Sequence, residues 1–210
     1  MTHRLNVLRR LAVAACLLCA AVASRAAEPA IATDTPVATI ATLQRGLIAV
    51  SQQQPNATID ERYRALEPLI VATHDLPFIA EFALRRQWAT LGAADRARFV
   101  AAFQRLSVMT YAARFTNVGP ATFRDVTPGE SADPKRAQVS TAIARSGAPD
   151  VSFDYLLQNG AAGWRIINIV ADGVSDLALK RAEYQRVLTS GTLDTLIAEL
   201  EAQTARLRQN

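Results

Sequence analysis

The stretch from Trp164 to Leu200 limits the possible folds more than any other part of this sequence. It begins as an apolar strand that stops at Asp172-Gly173, and an amphipathic helix pattern follows at once. That pattern ends at Gly191, a residue type that commonly terminates helices, and a second helix pattern runs on to Leu200. A strand followed by two such helices predicts a sheet that the helices cover. The stretch contains no motif that indicates catalysis.

The first 26 residues have the pattern of a secretory signal. Arg4, Arg9 and Arg10 precede an uncharged apolar run over residues 11–23. That run suits a signal peptide and is shorter than the roughly 20 residues that a membrane-spanning helix needs. We therefore expect a cleavable signal over residues 1–26, with a short uncleaved anchor as the alternative.

The cysteines and the excess basic charge both belong to this segment. Cys16 and Cys19 are the two cysteines of the chain, so a mature protein that begins near Ala27 would have no thiol for a disulfide, a zinc site or a nucleophile. The chain has 23 Lys and Arg against 19 Asp and Glu, but four basic residues and no acidic ones precede Ala27. The mature part is therefore neutral, and the basic composition does not indicate nucleic-acid binding.

The remaining length suits one domain with a hydrophobic core. Residues 27–36 are small and rich in threonine, so we expect a flexible leader there and a single domain over residues 37–210. Apolar residues at helical spacing predict four helices, which begin near Val37, Thr58, Asp75 and Ala93. Pro68 is expected to bend or end the second of them.

After Gly119-Pro120 the apolar period changes from helical to alternating. Four strands are predicted, over residues 123–127, 137–145, 151–158 and 164–170, and the last is apolar on both faces. Short turns between them favour an antiparallel meander. Two further helices, capped by Ser175 and Thr192, close the chain. Helices, then strands, then helices predict an α+β fold.

Candidate catalytic residues are few. His74 is the only histidine after the signal, and without ligand-spaced partners it favours a surface or capping role over metal binding or a catalytic triad. Ser175 lacks the second glycine of a nucleophile elbow, so a helix cap explains it better. Asp172 and Asp176 could share a face and perform acid–base chemistry, but strand termination and helix capping are the preferred interpretation. The sequence predicts no metal site and no cofactor.

The apolar residues are more informative than the polar ones. The longest helix pattern, from Ala93 to about Phe115, has a wide apolar arc, which indicates burial on more than one side. This arc and the two-sided apolar strand could fill a solid core or line a tubular cavity. The residues alone do not separate these two arrangements.

A set of motifs in fixed order resembles one known family. The motifs are Asp75-Leu-Pro77, Trp88, Phe99-Val-Ala-Ala-Phe103-Gln-Arg-Leu106, Tyr111-Ala-Ala-Arg-Phe115, Gly163-Trp-Arg-Ile-Ile-Asn-Ile-Val170, Asp172-Gly-Val-Ser175, Tyr184-Gln-Arg-Val-Leu188 and Gly191-Thr-Leu-Asp-Thr-Leu-Ile197. Behind a signal peptide, this order resembles the MlaC family, also called the toluene-tolerance family, of periplasmic lipid carriers. The run from Asp176 to Tyr184 looks closest to its hopanoid-associated branch, HpnM.

The resemblance implies a twisted antiparallel sheet of about four strands, wrapped by six or seven helices around an apolar cavity that holds lipid tails. It implies a carrier without enzymatic activity, which moves phospholipid or hopanoid through the periplasm between an inner-membrane ABC transporter and an outer-membrane lipoprotein or transporter. A periplasmic enzyme and a protein-interaction module without a cavity remain alternatives. The apolar faces suggest as lipid contacts Leu66, Ile70, Phe78, Phe103, Tyr111, Phe115, Tyr155 and Ile169.

Overall fold

Helices, a sheet and two further helices follow one another in the order that the sequence predicts. The computed structural model describes residues 31–209, so the predicted signal over residues 1–26 and both cysteines lie outside the described residues. Within that range the helices are α1 (Pro36–Gln53), α2 (Ile59–Thr73), α3 (Leu76–Leu84), α4 (Arg86–Thr90), α5 (Ala93–Arg114), α6 (Asp176–Ser190) and α7 (Leu193–Gln209). The strands are β1 (Thr127–Pro128), β2 (Arg136–Arg145), β3 (Ala148–Gly160), β4 (Gly163–Ala171) and β5 (Val174–Ser175).

The strands form one antiparallel sheet in sequence order, β1-β2-β3-β4-β5. The three long strands β2, β3 and β4 are the body of this meander, and the two-residue strands β1 and β5 lie at its edges. The predicted α+β fold with an antiparallel sheet is therefore confirmed.

The strand predicted over residues 123–127 is largely absent. Phe123 forms an isolated bridge with Ile143, and regular pairing starts again at β1. Between them, the hydroxyl of Thr141 donates to the carbonyl of Arg124 at 2.7 Å. A side chain thus takes an acceptor that a backbone N–H would use in a continuous ladder, which accounts for the interruption.

Local capping signals place the helix starts. Thr58 and Glu61 form the predicted capping box at the start of α2, and Asp75 and Ser175 cap α3 and α6. Pro68 was expected to bend or end α2. It does not end the helix, which continues to Thr73. Its buried apolar face, which includes Leu66, Leu69 and Ile70, holds it against the rest of the molecule despite one missing backbone hydrogen bond.

A register shift explains why the apolar residues of β4 do not alternate along the sequence. Leu156 pairs with Asn168, whereas the next residue of β3, Leu157, pairs with Ile166. The extra residue in β4 reverses the alternation at this point, as a β-bulge does. Ile166 and Ile169 therefore lie on the same face of the sheet although they are three residues apart.

Residues 31–35, part of the predicted flexible leader, lie against the sheet. The backbone N–H of Trp164 donates to the carbonyl of Thr33 at 2.7 Å, and the hydroxyl of Thr42 donates to the carbonyl of Ala32 at 3.1 Å. Gly163 makes this approach possible, because a Cβ at that position would lie 2.6 Å from the Thr33 oxygen and its φ is +85°.

The helices enclose one hydrophobic core with one face of the sheet. Helix α1 packs on β2 and β4, and α2 lies between α1 and α5. Helix α5 has α2, α3 and α7 as its close backbone neighbours, and α6 packs on α3, α7 and β4. Within residues 31–209, no helix combines the length and the apolar character that crossing a bilayer would require. The same range contains no cluster of three or more acidic, histidine or cysteine side chains suited to a metal ion.

Candidate functional site

A row of three aromatic side chains leads from α5 to the edge of the sheet. The rings of Tyr111 and Phe115, one helical turn apart, stack with centres 5.4 Å apart. Phe115 in turn stacks on Phe123 at 6.3 Å, and Phe123 is bridged to Ile143 of β2. The row thus connects the C-terminal half of α5 to the first long strand.

The covered face of the sheet presents a second apolar group opposite this row. Phe153 and Tyr155 are two residues apart in β3, so they share a face, and their rings stack at 6.1 Å. Ile169 of β4 pairs directly with Tyr155. Tyr155 is buried, whereas Phe153 and Ile169 are half-buried.

These side chains lie between α5 and the covered face of the sheet, packed against the hydrophobic core. Tyr111 is only half-buried, yet burial, with smaller effects from Tyr155 and Asp176, raises the pKa of its hydroxyl well above its ordinary value. The close backbone neighbours of α5 are helices rather than strands, so its contacts with the sheet are mainly made by side chains. We call this region the α5–sheet space.

His74 lies at one end of this space. It is the C-cap residue of α2, whereas the predicted capping role was at the start of the next helix, which Asp75 caps. The predicted surface location is wrong, because only 4% of its surface is exposed. The reason is that the junction between α2 and α3 runs alongside β4. There the backbone N–H of Asp75 donates to the carbonyl of Ile166 at 2.9 Å.

The hydrogen bonds of His74 identify its tautomer. Nδ1 lies 3.2 Å from the carbonyl oxygen of Ile70, which can only accept, so Nδ1 carries the proton. Nε2 is then free to accept from the hydroxyl of Tyr111 at 2.9 Å. Burial lowers the pKa of His74 to about 4, against opposing effects of the Ile70 carbonyl and Asp176. The imidazole is therefore neutral at neutral pH, and both nitrogens are engaged.

The other polar candidates have structural partners. The Oδ1 atom of Asp172 accepts from the backbone N–H and the hydroxyl of Ser152, at 2.8 and 3.1 Å. Asp176 pairs with Lys180 at 2.6 Å in the first turn of α6, and Ser175 caps that helix. These contacts agree with the strand-ending and capping roles preferred from the sequence.

The eight predicted lipid contacts fall into three groups. Tyr111, Phe115, Tyr155 and Ile169 border the α5–sheet space. Three further residues are fully buried in the core, with at most 1% of their surface exposed: Leu66, Ile70 and Phe103. The ring of Phe78 lies elsewhere, stacked on Phe82 and covered by Arg136.

Three residues at this space were missed as site residues. Phe153 had a usable signal, because it lies two positions before Tyr155 on a predicted strand. No local sequence pattern indicates Phe123 as a site residue, because its position depends on pairing with β2. His74 was considered only as a catalytic, metal-binding, surface or capping residue, and its burial depends on the contact with β4.

A separate surface groove of about 710 Å³ lies at the turn between α1 and α2. It is wide open to solvent, and the residues that line it are Gln53, Gln54, Pro55, Asn56, Ala57, Glu61, Arg64 and Ala65. None of the eight predicted contacts belongs to it. A groove that is open to solvent and about half polar offers apolar groups little burial, so the α5–sheet space is the better candidate site.

Comparisons with known proteins agree with this fold. Among curated protein sequences, none is similar enough to count as a relative. One similar solved structure is a phospholipid-binding protein from Ralstonia solanacearum in complex with a phospholipid, with 19% identity and a TM-score of 0.69, over 81% of this chain and 97% of that one. The sequence model described as "MlaC protein" matches residues 42–202. The chain therefore belongs to the MlaC family.

Proposed function

We propose that this protein is a periplasmic lipid carrier that holds lipid tails in the α5–sheet space. The observation that carries the proposal is the group of apolar side chains between α5 and the sheet, where Tyr111, Phe115, Phe153 and Ile169 pack against the core but are only half-buried. Family membership supports the same conclusion. The phospholipid in the similar Ralstonia structure favours phospholipid as the cargo class, with hopanoid as the alternative.

An apolar interior is what transport of a lipid through water requires. Each methylene removed from water gains about 0.8 kcal/mol, so a tail with about twelve buried methylenes gains up to about 10 kcal/mol. The head group has no such gain and can stay at the protein surface. The proposed carrier therefore needs a lined space for tails more than it needs a polar pocket.

Separation of α5 from the sheet would accommodate the tails. We place the first contacts at Tyr111, Phe115, Tyr155 and Ile169, which border the space. In the proposed complex, Leu66, Ile70 and Phe103 form the layer behind them. Phe78 lies outside the space and is the least suited of the eight predicted contacts.

The proposed carrier performs no reaction of its own. The neutral His74, with both ring nitrogens engaged, and the partnered carboxylates of Asp172 and Asp176 support this inference. The secretory pattern over residues 1–26 supports export to the periplasm. There we propose exchange of lipid with an inner-membrane ABC transporter and with an outer-membrane lipoprotein or transporter.

Lipid extraction provides the direct test. Protein purified from the periplasm is analysed by native mass spectrometry and by organic extraction, and we expect about one bound lipid per chain. Ile169→Trp should exclude it, because the new ring enters the α5–sheet space. Val170→Trp is the matched control, since the neighbouring strand position points to the opposite face.

Folding must be measured alongside occupancy. Both tryptophan variants should unfold cooperatively, and occupancy should fall in Ile169→Trp alone. Wild-type protein without lipid, or equal occupancy in both variants, would remove the α5–sheet space as the binding site.

A further inference from the structure

Four side chains from three elements form a continuous stack at the protein surface. The guanidinium carbon of Arg136, in β2, lies 5.7 Å from the centre of the Phe78 ring in α3. The Phe78 and Phe82 rings stack at 5.8 Å with an angle of 15° between their planes. The guanidinium carbon of Arg181, in α6, lies 5.5 Å from the Phe82 ring. We call these four residues the Arg–Phe stack.

The two rings contact the two guanidinium groups without using their hydrogen-bond donors. Cation–π attraction acts on the face of a guanidinium, whereas its N–H groups point outward in the plane. Among residues 31–209, neither Arg136 nor Arg181 takes part in an ion pair. Two carboxylates close in sequence are occupied elsewhere, since Asp75 accepts from the backbone of Phe78 at 3.1 Å and Asp133 accepts from the backbone two residues on at 2.8 Å. Glu81, directly before Phe82, is exposed and forms no ion pair with either arginine within the described residues.

Further positive charge and an exposed ring adjoin the two cations. Lys135 directly precedes Arg136, and Arg85 and Arg86 follow α3; all three are exposed and none is in an ion pair within the described residues. Phe82 has 43% of its surface exposed, which is unusual for phenylalanine. The surface thus combines two guanidinium groups stacked on rings, three further exposed cations and one accessible aromatic side chain.

We propose that the Arg–Phe stack docks this protein on the phosphate groups of an anionic lipid bilayer. Guanidinium groups bind phosphate oxygens through paired N–H donors, and an exposed phenyl ring can enter the boundary between head groups and acyl chains. The remaining cations add attraction that salt screens. The binding is weak and reversible, as a protein that leaves the membrane again requires.

The small apolar area favours a bilayer over an acidic protein as the occupant. A stable protein interface buries about 800 Å² per partner around an apolar centre. Among the described residues of the stack, Phe82 is the one large apolar side chain with substantial exposure, and a single ring cannot supply that centre. A bilayer surface needs no such centre, because phosphate contacts and one interfacial ring suffice.

The test is flotation of the full-chain protein with lipid vesicles, in low and in high salt. One set of vesicles contains phosphatidylcholine alone, and the other contains phosphatidylglycerol as well. We expect binding to the anionic vesicles in low salt, and roughly thirtyfold weaker binding for Arg136→Gln/Arg181→Gln. Arg64→Gln/Arg206→Gln removes the same charge from exposed positions on α2 and α7 and should bind like the wild type.

Two further variants separate the stack from charge alone. Phe82→Ala should weaken vesicle binding although it changes no charge. Arg136→Lys/Arg181→Lys keeps both charges but loses the planar groups that lie on the rings, so we expect it to bind more weakly than the wild type. Wild-type affinity in the lysine pair would overturn the role of the stack.

The remaining outcomes also decide the proposal. Equal binding to both kinds of vesicle, or equal losses in the stack and control pairs, would overturn it. Failure of the wild type to bind either vesicle would overturn it too and would make an acidic protein surface the candidate occupant. Because the stack lies outside the α5–sheet space, Arg136→Gln/Arg181→Gln should retain the wild-type content of co-purified lipid. The docking and the proposed carrier function can therefore fail independently.

Discussion

Replacement of His74 should reduce the loss of folding stability that this protein shows as the pH falls from 7 to 4. The folded state keeps the imidazole neutral and buried, with a pKa of about 4, whereas an unfolded chain restores the ordinary value of 6.5. Below pH 6.5 the unfolded state therefore binds a proton that the folded state does not. The contribution of neutral His74 to the free energy of unfolding is complete above the unfolded pKa of 6.5, and it is lost as pH falls towards the folded pKa of about 4.

The size of the effect follows from the two pKa values. Linkage gives a loss of about 2 kcal/mol in the free energy of unfolding by pH 5, and about 3 kcal/mol by pH 4. His74→Gln should lack this loss, because glutamine does not titrate. Its side-chain oxygen can still accept from the hydroxyl of Tyr111, so the packing of the α5–sheet space is disturbed as little as possible.

Urea unfolding, followed by tryptophan fluorescence between pH 7 and pH 5, measures the difference. In that window ordinary carboxylates titrate little, and His74 is the sole histidine beyond residue 26. The wild type should lose stability while His74→Gln changes much less. Parallel curves for the two proteins would show that His74 is not held neutral in the folded state, and the assigned hydrogen bonds would be wrong.

Two glycines should resist substitution for different reasons. Gly163→Ala should cost at least about 1–2 kcal/mol in the free energy of unfolding, because φ is +85° and the new Cβ would meet the carbonyl of Thr33. Gly160→Ala is the control and should change stability little, because its new Cβ meets open space and its φ is not positive. Gly46→Ala should cost about 1 kcal/mol net, since the methyl group would overlap the side chain of Leu69 at 2.3 Å and overpacking exceeds the gain in helix propensity. Urea unfolding checks both, and Leu69→Val should reduce the cost of Gly46→Ala if overlap is its cause.

Local rules accounted for much of the fold. Helix starts at Thr58, Asp75 and Ser175 depend on a side chain and the backbone of the next turn, so the sequence contains the whole interaction. Departures from prediction had long-range causes. The strand predicted at Phe123 is interrupted by a hydroxyl from β2, namely that of Thr141.

The sequence predicts which residues lie on inner faces near the candidate site, but it does not predict how deeply each of them is buried. Periodicity indicates the inner faces of α2, α5 and β3, and it predicts Phe103 and Tyr111 of α5 as lipid contacts alike. The structure separates them, because Phe103 is fully buried in contact with Phe99, whereas Tyr111 keeps accessible surface. Whether an inner side chain fills a core or borders a space depends on the distance between layers, which no local pattern encodes.

A space lined by apolar rings tends to close, because every ring gains by contact with another. In this molecule two linkages position α5 relative to the sheet. One runs from β4 through the hydrogen bond between Asp75 and Ile166, then through His74 to the hydroxyl of Tyr111. The other is the stack of Phe115 on Phe123 at the edge of β2. The first linkage is polar and directional, so it fixes a distance that apolar packing alone would not.

This linkage explains why a histidine, rather than an apolar residue, occupies the buried position 74. A buried neutral imidazole loses hydration and has to recover it through hydrogen bonds, which an apolar side chain at His74 would not need. An apolar residue, however, would leave the hydroxyl of Tyr111 without its acceptor and α5 without a fixed contact to the junction with β4. We therefore expect protonation of His74 to release α5 at Tyr111 while Phe115 still holds it, so acid should let the α5–sheet space narrow before the whole domain unfolds.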